Sequence, residues 1–175
     1  MEIRKGTPAD TERFLTLLQL VRAGMVQKEW FYMDPPEDVR KMIADGTMEF
    51  WVAMEDNCLA GAFSIIYPGL TEMNYGYDLD FSEEDLLRVV NMDTAAVHPD
   101  FRGRGLQKRL MQTAEQAISE TGHKILLCTV HPDNRYSLQN VCNQGYVIQK
   151  RLEKYGSVRY VLRKDLISRE MKNKL

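Results

Sequence analysis

Val97-His98-Pro99-Asp100-Phe101-Arg102-Gly103-Arg104-Gly105-Leu106-Gln107-Lys108-Arg109 is the stretch on which the reading of this chain turns. Before it runs Val89-Val90-Asn91-Met92-Asp93-Thr94-Ala95-Ala96, an apolar-rich segment that reads as a strand stopped by Pro99. After it, Leu106, Leu110, Ala114, Ala117 and Ile118 recur at helical spacing and mark one face of a helix ending near Gly122. The stretch is therefore a strand-to-helix turn. The first amides of a helix have no partner inside it, and its dipole favours an anion at that end. Gly103 and Gly105 lack side chains, so their amides can approach an anion and take positive φ. Arg102, Arg104, Lys108 and Arg109 place four cations in the same turn. Together these features describe a cradle for a diphosphate. The plainer reading is a glycine-containing turn before a surface helix whose arginines face water.

The rest of the chain narrows the choice. Its 175 residues suit one domain, with 44% apolar and 27% charged residues, close to soluble globular averages. Lys and Arg number 23 against 25 Asp and Glu, a net charge of -2, so no global field points towards nucleic acid. The cationic cluster is confined to one turn, with no basic aromatic groove beside it. Neither GxGxxG nor GxxxxGK[ST] follows a strand, which argues against dinucleotide and triphosphate folds. Cys58, Cys128 and Cys142 are odd in number and widely spaced, and no CxxC pair or Cys/His cluster suggests a disulfide framework or a metal site. No apolar run nears the ~20 residues of a membrane span. Met1-Glu2-Ile3-Arg4-Lys5-Gly6 lacks a signal-peptide core. The expectation is a cytoplasmic, single-domain protein with no metal.

Thr7-Pro8-Ala9-Asp10 reads as a helix start, with Phe14, Leu17, Leu18 and Val21 following at helical spacing. A second start at Asp34-Pro35-Pro36-Glu37 leads to Val39, Met42 and Ile43 and stops at Gly46. Strand-like runs at 50–54 and 59–67 flank the turn formers Asp56-Asn57. Residues 125–130 read as a buried strand and 134–143 as a short helix stopped by Gly145. Residues 147–152 and 158–162 form a hairpin around Tyr155-Gly156-Ser157. Ile167, Met171 and Leu175, at i, i+4 and i+8, predict a docked helix in an extension over 164–175. Helices, a hairpin, then strand–helix–strand–helix–hairpin predict a mixed α/β sheet.

The strand–Val-His-Pro-Asp-Phe-Arg-Gly-Arg-Gly-Leu–helix run resembles the pantetheine and pyrophosphate motif of the GNAT superfamily of acyl-CoA-dependent N-acyltransferases. Asn134-Arg135-Tyr136-Ser137 and Gly145-Tyr146 resemble its later motif, in which an Asn opens a helix beside the CoA arm. In element order the resemblance covers residues 1–163, which are expected to be the acetyltransferase domain, and its specific motifs lie in 89–110 and 131–146. It implies a central mixed sheet, splayed beside the cofactor-binding strand and flanked by helices. It also implies acetyl-CoA as co-substrate and direct acetyl transfer to a primary amine through a tetrahedral intermediate.

Residue by residue, the resemblance assigns the pantetheine and the oxyanion to the backbone of Ala95, Ala96 and Val97. The diphosphate falls to the amides of Arg102, Gly103, Arg104, Gly105, Leu106, Gln107 and Lys108. Gln107 stands where a small residue is usual. Asn134 and Ser137 are expected at the CoA arm, with helix capping by Asn134 as the compatible plain reading. Asp93 occupies the place of a carboxylate acting as base through water; the alternative is a polar residue satisfied by neighbouring amides. His98, immediately before Pro99, is a turn residue. The family's usual Tyr acid falls here on Val141, so no general acid is assigned; Tyr136 lies on another helical face and Cys142 reads as inert packing.

The family often has a short hairpin where residues 68–88 stand here. Tyr75, Tyr77, Asp78, Asp80, Phe81, Glu83, Glu84 and Asp85 make this stretch either a solvated acidic loop, with Ser82 opening a short helix, or a lid attracting a cationic amine. Under the lid reading Trp30, Phe31 and Tyr32 line the other wall, and Trp30, Tyr32, Tyr75, Tyr77 and Asp78 contact the acceptor. The expected partners are a small-molecule or peptide amine, with no nucleic acid and no membrane, and a homodimer stays open. The function from another class is a non-catalytic acyl-CoA-binding or sensor domain.

Overall fold

The computed structural model describes residues 1–166, in two compact units. The first comprises Met1–Ile66 and Asp93–Ala114, the second Tyr67–Met92 and the chain from Glu115 onward.

In the first unit, strands β1 (Glu2–Lys5), β2 (Met48–Glu55) and β3 (Cys58–Ile66) pair antiparallel, with Glu2 opposite Met54 and Met48 opposite Ile66. Asp56 and Asn57 turn β2 into β3 with φ of 50° and 64°, the left-handed conformation that a two-residue hairpin requires and that Asp and Asn tolerate. Helix α1 (Thr11–Ala23) buries Phe14, Leu17, Leu18 and Val21, the predicted stripe, against Phe50, Val52, Ala62 and Ile66. The rings of Phe14 and Phe50 stack at 4.8 Å. Helix α2 (Pro36–Asp45) starts in the Pro-Pro pair and ends at Gly46. Asp10 accepts from the two terminal Arg4 guanidinium nitrogens at 2.8 and 2.9 Å, and from the Thr7 N–H and hydroxyl at 2.9 and 2.8 Å. The Arg4 hydrogen bonds hold its carboxyl well below the usual range.

Strand β4 (Val89–Val97) belongs to both units, and so does helix α4 (Leu106–Ile118). Gly61 of β3 explains how closely α4 approaches: a Cβ there would sit 3.2 Å from the Ala96 carbonyl and 3.3 Å from Leu110 Cδ1.

The second unit holds α3 (Glu83–Leu86), β5 (Ile125–Val130), α5 (Arg135–Cys142), β6 (Val147–Lys154) and β7 (Ser157–Asp165). Strand β5 pairs parallel with β4 over Val89, Val90 and Asn91, and antiparallel with β7 from Ile125–Asp165 to Val130–Tyr160. The β6–β7 turn is Tyr155-Gly156, with φ of 57° and 72°; Ser157 already pairs with Lys154. Tyr75, Val89, Ile125, Leu127 and Val161 form this unit's core. Also buried, the Tyr146 hydroxyl donates to Glu115 at 2.7 Å, and Lys164 Nζ donates to the other carboxylate oxygen at 2.5 Å.

The strand order is β1-β2-β3-β4-β5-β7-β6, a seven-stranded mixed sheet flanked by helices, and so the expected α/β class. Two elements differ from the sequence reading. Strand β1 has no counterpart in it, because Glu2-Ile3-Arg4-Lys5 offers only one apolar residue and is recruited by pairing with β2. Strand β7 runs on to Asp165, so Lys164 and Asp165 belong to the sheet and not to a C-terminal helix. Ile167, Met171 and Leu175 lie outside the described residues. Among the described residues no helix is long and apolar enough to cross a membrane.

Candidate active site

In the first unit β4 delivers the chain into the glycine turn. His98 donates its N–H to Ala60 C=O at 2.9 Å, and its Nδ1 accepts the Asp100 N–H at 3.3 Å, so it is the turn residue expected. Arg102 N–H returns to Pro99 C=O at 3.3 Å. Gly103 and Gly105 then take φ of 76° and 68°, and among the described residues, their own chain neighbours aside, no atom lies within 4 Å of where a Cβ would stand on either. The first hydrogen bond of α4 is Arg109 N–H to Gly105 C=O at 3.1 Å. The amides of Leu106, Gln107 and Lys108 therefore precede it, at the end where the helix dipole favours an anion. The Leu106 side chain is buried, Gln107 is half-buried, and Arg102, Arg104 and Lys108 are exposed. Arg104 is partly engaged: it contacts Glu55 at 3.1 Å and lies 4.9 Å from the Phe101 ring centre.

Along the preceding strand Met92 and Ala96 are buried, while Asp93, Ala95 and Val97 on the alternate face are half-buried. This is the shared face expected of them. The Ser64 hydroxyl, on β3, donates to Asp93 Oδ2 at 2.7 Å and itself accepts the Thr94 N–H at 3.2 Å. Burial drives the Asp93 carboxyl up to about 6; the Asp34 charge adds to the rise, and hydrogen bonds from Ser64 and Thr94 oppose it. Asp34 is likewise raised by burial and hydrogen-bonds Tyr32, whose hydroxyl is held above its usual range by its own burial and by Asp34, Asp93 and Asp38. Tyr32 and Asp93 are thus brought into one electrostatic neighbourhood. Trp30 closes a short 3-10 turn, Lys28–Trp30, in the same unit.

Ser64, which hydrogen-bonds Asp93, and Asp34, whose charge acts on it, are surroundings that the sequence reading misses. Asp34 stands before Pro35-Pro36 and signals only a helix start. Ser64 carries a usable signal, a hydroxyl inside the apolar run of β3, where a fully buried polar group needs a partner.

In the second unit Asn134 Oδ1 accepts the Ser137 N–H at 3.2 Å, so Asn134 caps α5 and Ser137 follows half-buried. Val141 is buried apolar packing and Tyr136 is 73% exposed; Cys142, expected to be inert packing, is instead exposed. The acidic stretch is tied down by bonds within itself and to the β6–β7 hairpin. Tyr75 is buried with its hydroxyl 2.9 Å from that of Tyr155, and Tyr77 donates to Leu70 C=O at 2.7 Å. Asp78 receives Lys154 Nζ at 2.7 Å on its carboxylate, and Lys150 Nζ at 2.7 Å on its carbonyl. Ser82 caps α3 by accepting the Asp85 N–H at 3.3 Å. Asp78 therefore has its charge countered by a neighbouring lysine. Among the described residues no group of three His, Cys, Asp or Glu is placed to hold a metal ion.

Several solved structures with this architecture carry the name acetyltransferase. Acetyltransferase GNAT family from Streptococcus agalactiae superposes with a TM-score of 0.73 at 22% identity, covering 95% of this chain and 96% of that one. Ribosomal-protein-alanine N-acetyltransferase from Brucella melitensis gives 0.72 at 18% identity, covering 95% and 100%. YncA from Salmonella typhimurium, solved with its cofactor acetyl-CoA, gives 0.71 at 15%, covering 96% and 95%. At these identities the likeness establishes the fold. The profile of the acetyltransferase (GNAT) family matches residues 19–141, and the chain belongs to that family. No curated protein sequence matches it.

Proposed function

We propose that this protein transfers an acetyl group from acetyl-CoA to a primary amine by direct attack through a tetrahedral intermediate. The observation that carries the reading is the continuity of one strand: β4 holds a half-buried carboxylate at Asp93 and, beyond Val97, opens into a turn whose two glycines have open space where a Cβ would stand. The turn fits a diphosphate, because neither glycine Cβ position is contested and Arg102 and Lys108 flank it on the exposed side. Acetyl-CoA supplies the activated thioester. Amides from Gly103 to Lys108 bind the diphosphate, and the backbone of Ala95, Ala96 and Val97 binds the pantetheine and the developing oxyanion. Asn134 and Ser137 serve the CoA arm from the start of α5.

An alkylammonium acceptor, with a pKa of ~10, must lose a proton before or during attack. A carboxyl with a pKa of about 6 is ionised at neutral pH, and Asp93 takes that proton directly or through water. The base form exists above that value and is lost as pH falls through it, so kcat/KM has an acid limb near pH 6. Val141 offers no proton, so the thiolate departs without a side-chain acid, which is tolerable for a thiol not far above neutrality. Tyr75, Tyr77 and Asp78 are held by bonds within their own unit, and acceptor contact is assigned to Trp30 and Tyr32.

Asp93→Asn tests this reading by release of free CoA thiol from acetyl-CoA with a panel of amines, polyamines, aminoglycosides and peptide N-termini. The expected result is a fall in kcat of about 100-fold with calorimetric acetyl-CoA binding unchanged. Near-native turnover across pH 6 to 9 would remove Asp93 from the chemistry. Acetyl-CoA binding without thiol release from any amine would favour the non-catalytic reading, which Val141 supports.

A further inference from the structure

We propose that Glu55 and Arg104 form a clasp that holds the glycine turn in its anion-binding conformation, so that the Arg104 side chain positions the turn and is not itself a ligand of the diphosphate. The inference rests on the reading of the turn as a diphosphate cradle. It goes beyond that reading because Glu55 lies outside both motif stretches, 89–110 and 131–146.

Arg104 is the residue with a side chain between two glycines. Glycine loses more conformational freedom on ordering than any other residue. Gly103 and Gly105 hold positive φ with open space at their Cβ positions, so packing against them does not select that conformation. The turn is fastened at both ends. Before it, the His98 N–H donates to Ala60 C=O at 2.9 Å, and after it the Leu106 side chain is buried. The middle is fastened through Arg104. Its Nη1 donates to Glu55 Oε1 at 3.1 Å, and its guanidinium lies 4.9 Å from the centre of the Phe101 ring. That ring meets the ring of His98 edge-on at 5.7 Å. A guanidinium set between a carboxylate and an aromatic ring has two partners that suit it.

Glu55 reaches this position from a firm base. It is the last residue of β2 and pairs with Cys58 across the tight Asp56-Asn57 turn. The same hairpin supplies Ala60, which takes the His98 N–H, and Gly61, whose missing Cβ leaves room for the Ala96 carbonyl and Leu110. One hairpin therefore meets the cofactor strand, the turn and the helix that follows. The Arg104 and Glu55 side chains are 50% and 30% exposed, and an ion pair so exposed adds little to global stability. Its effect is local. Ordering two glycines before the ligand arrives spares that cost from the binding free energy.

The test is a double-mutant cycle of Glu55→Gln and Arg104→Gln in the full chain, read by calorimetric acetyl-CoA affinity. Beside it, 15N relaxation reports the order of the Gly103 and Gly105 amides without acetyl-CoA. Glu55 also lies 3.9 Å from the Met1 amino group, and the cycle separates the pair from that contact. Each single variant is expected to weaken acetyl-CoA binding about three- to fivefold, and the double variant no further than either one. Order parameters at both glycines should fall in all three. The sign for Glu55→Gln is decisive. Removing a carboxylate near an anion site tightens binding if charge alone acts, and weakens it if that carboxylate holds the turn. Tighter or unchanged binding by Glu55→Gln overturns the clasp, and so do order parameters that stay put. Additive losses in the double variant would make Arg104 a phosphate ligand and overturn it as well. Gly105→Glu separates the two readings. If that variant keeps its acetyl-CoA affinity, the cradle falls and the clasp with it; if it loses affinity while Glu55→Gln does not, the clasp alone falls.

Discussion

Two loops of this protein, the glycine turn at 98–105 and the acidic stretch at 68–88, are similar in composition: both are polar, both carry glycine, and both interrupt strongly patterned sequence. In the fold they differ, although Gly69 at the start of the acidic stretch is as open as the glycines of the turn, with φ of 54° and, among the described residues, nothing within 4 Å of a notional Cβ. Gly103 and Gly105 have positive φ and nothing within 4 Å of a notional Cβ. Gly76, in the acidic stretch, is pressed from three sides: a Cβ there would meet Leu86 Cδ2 at 2.7 Å, Phe81 Cδ2 at 2.9 Å and Asn74 Oδ1 at 3.0 Å. Asn74 further ties this stretch by donating to Gly69 and Leu86 carbonyls at 2.7 and 2.9 Å. One loop leaves the space beside two of its glycines open; the other spends its polar groups on bonds within itself and to the β6–β7 hairpin. Composition does not distinguish a binding loop from a structural one, whereas where the hydrogen bonds go does.

The contrast can be tested by substitution. Gly105→Glu is expected to have the largest effect, a loss of acetyl-CoA affinity of roughly 100-fold, or about 2.7 kcal/mol, by calorimetry. A glutamate there must adopt a left-handed backbone and brings negative charge to the end of α4 that favours anions. The protein should remain folded, and unchanged affinity would refute the cradle. Gly76→Ala should do the reverse, costing ~1–3 kcal/mol in denaturant unfolding through overpacking while leaving acetyl-CoA affinity alone. A loss of affinity from that change would mean the acidic stretch does more than hold itself together. Asp78→Asn should be the mildest, with less than ~1 kcal/mol of stability lost with the Lys154 contact. If the KM of a dicationic amine rises in that variant while that of a neutral amine does not, the acidic stretch has an electrostatic role in acceptor selection after all.

What is legible in the sequence follows the range of the interactions involved. Helix starts at Thr7-Pro8 and Asp34-Pro35-Pro36, the hairpin turn at Asp56-Asn57 and the cap at Ser82 are local, written within a few residues, and the fold has them in place. The strand–glycine–helix turn is local too, and it carries both the family and the fold. Strand β1 escapes because its stability comes from pairing with residues 51–54 and not from its own pattern. The Asp78–Lys154 contact spans 76 positions, and that of Ser64 with Asp93 spans 29. No window short enough to show periodicity contains either pair. The surroundings of Asp93 are therefore out of reach of pattern reading, even though Asp93 itself is not.

Strand β6 ends the sheet order, with most of its residues exposed, Val147 and Ile148 among them. An outermost strand with apolar exposure is a template on which another copy can add its own backbone. Here the register of β6 with β7 slips between Ile148 and Lys150, and Lys150, Arg151, Glu153 and Lys154 crowd the remainder. A slipped register and a row of charges make a poor seed for strand addition. The concentrated protein should therefore resist fibrillar association at this border, and charge-removing changes at Lys150 or Arg151 would be expected to weaken its colloidal behaviour before its fold.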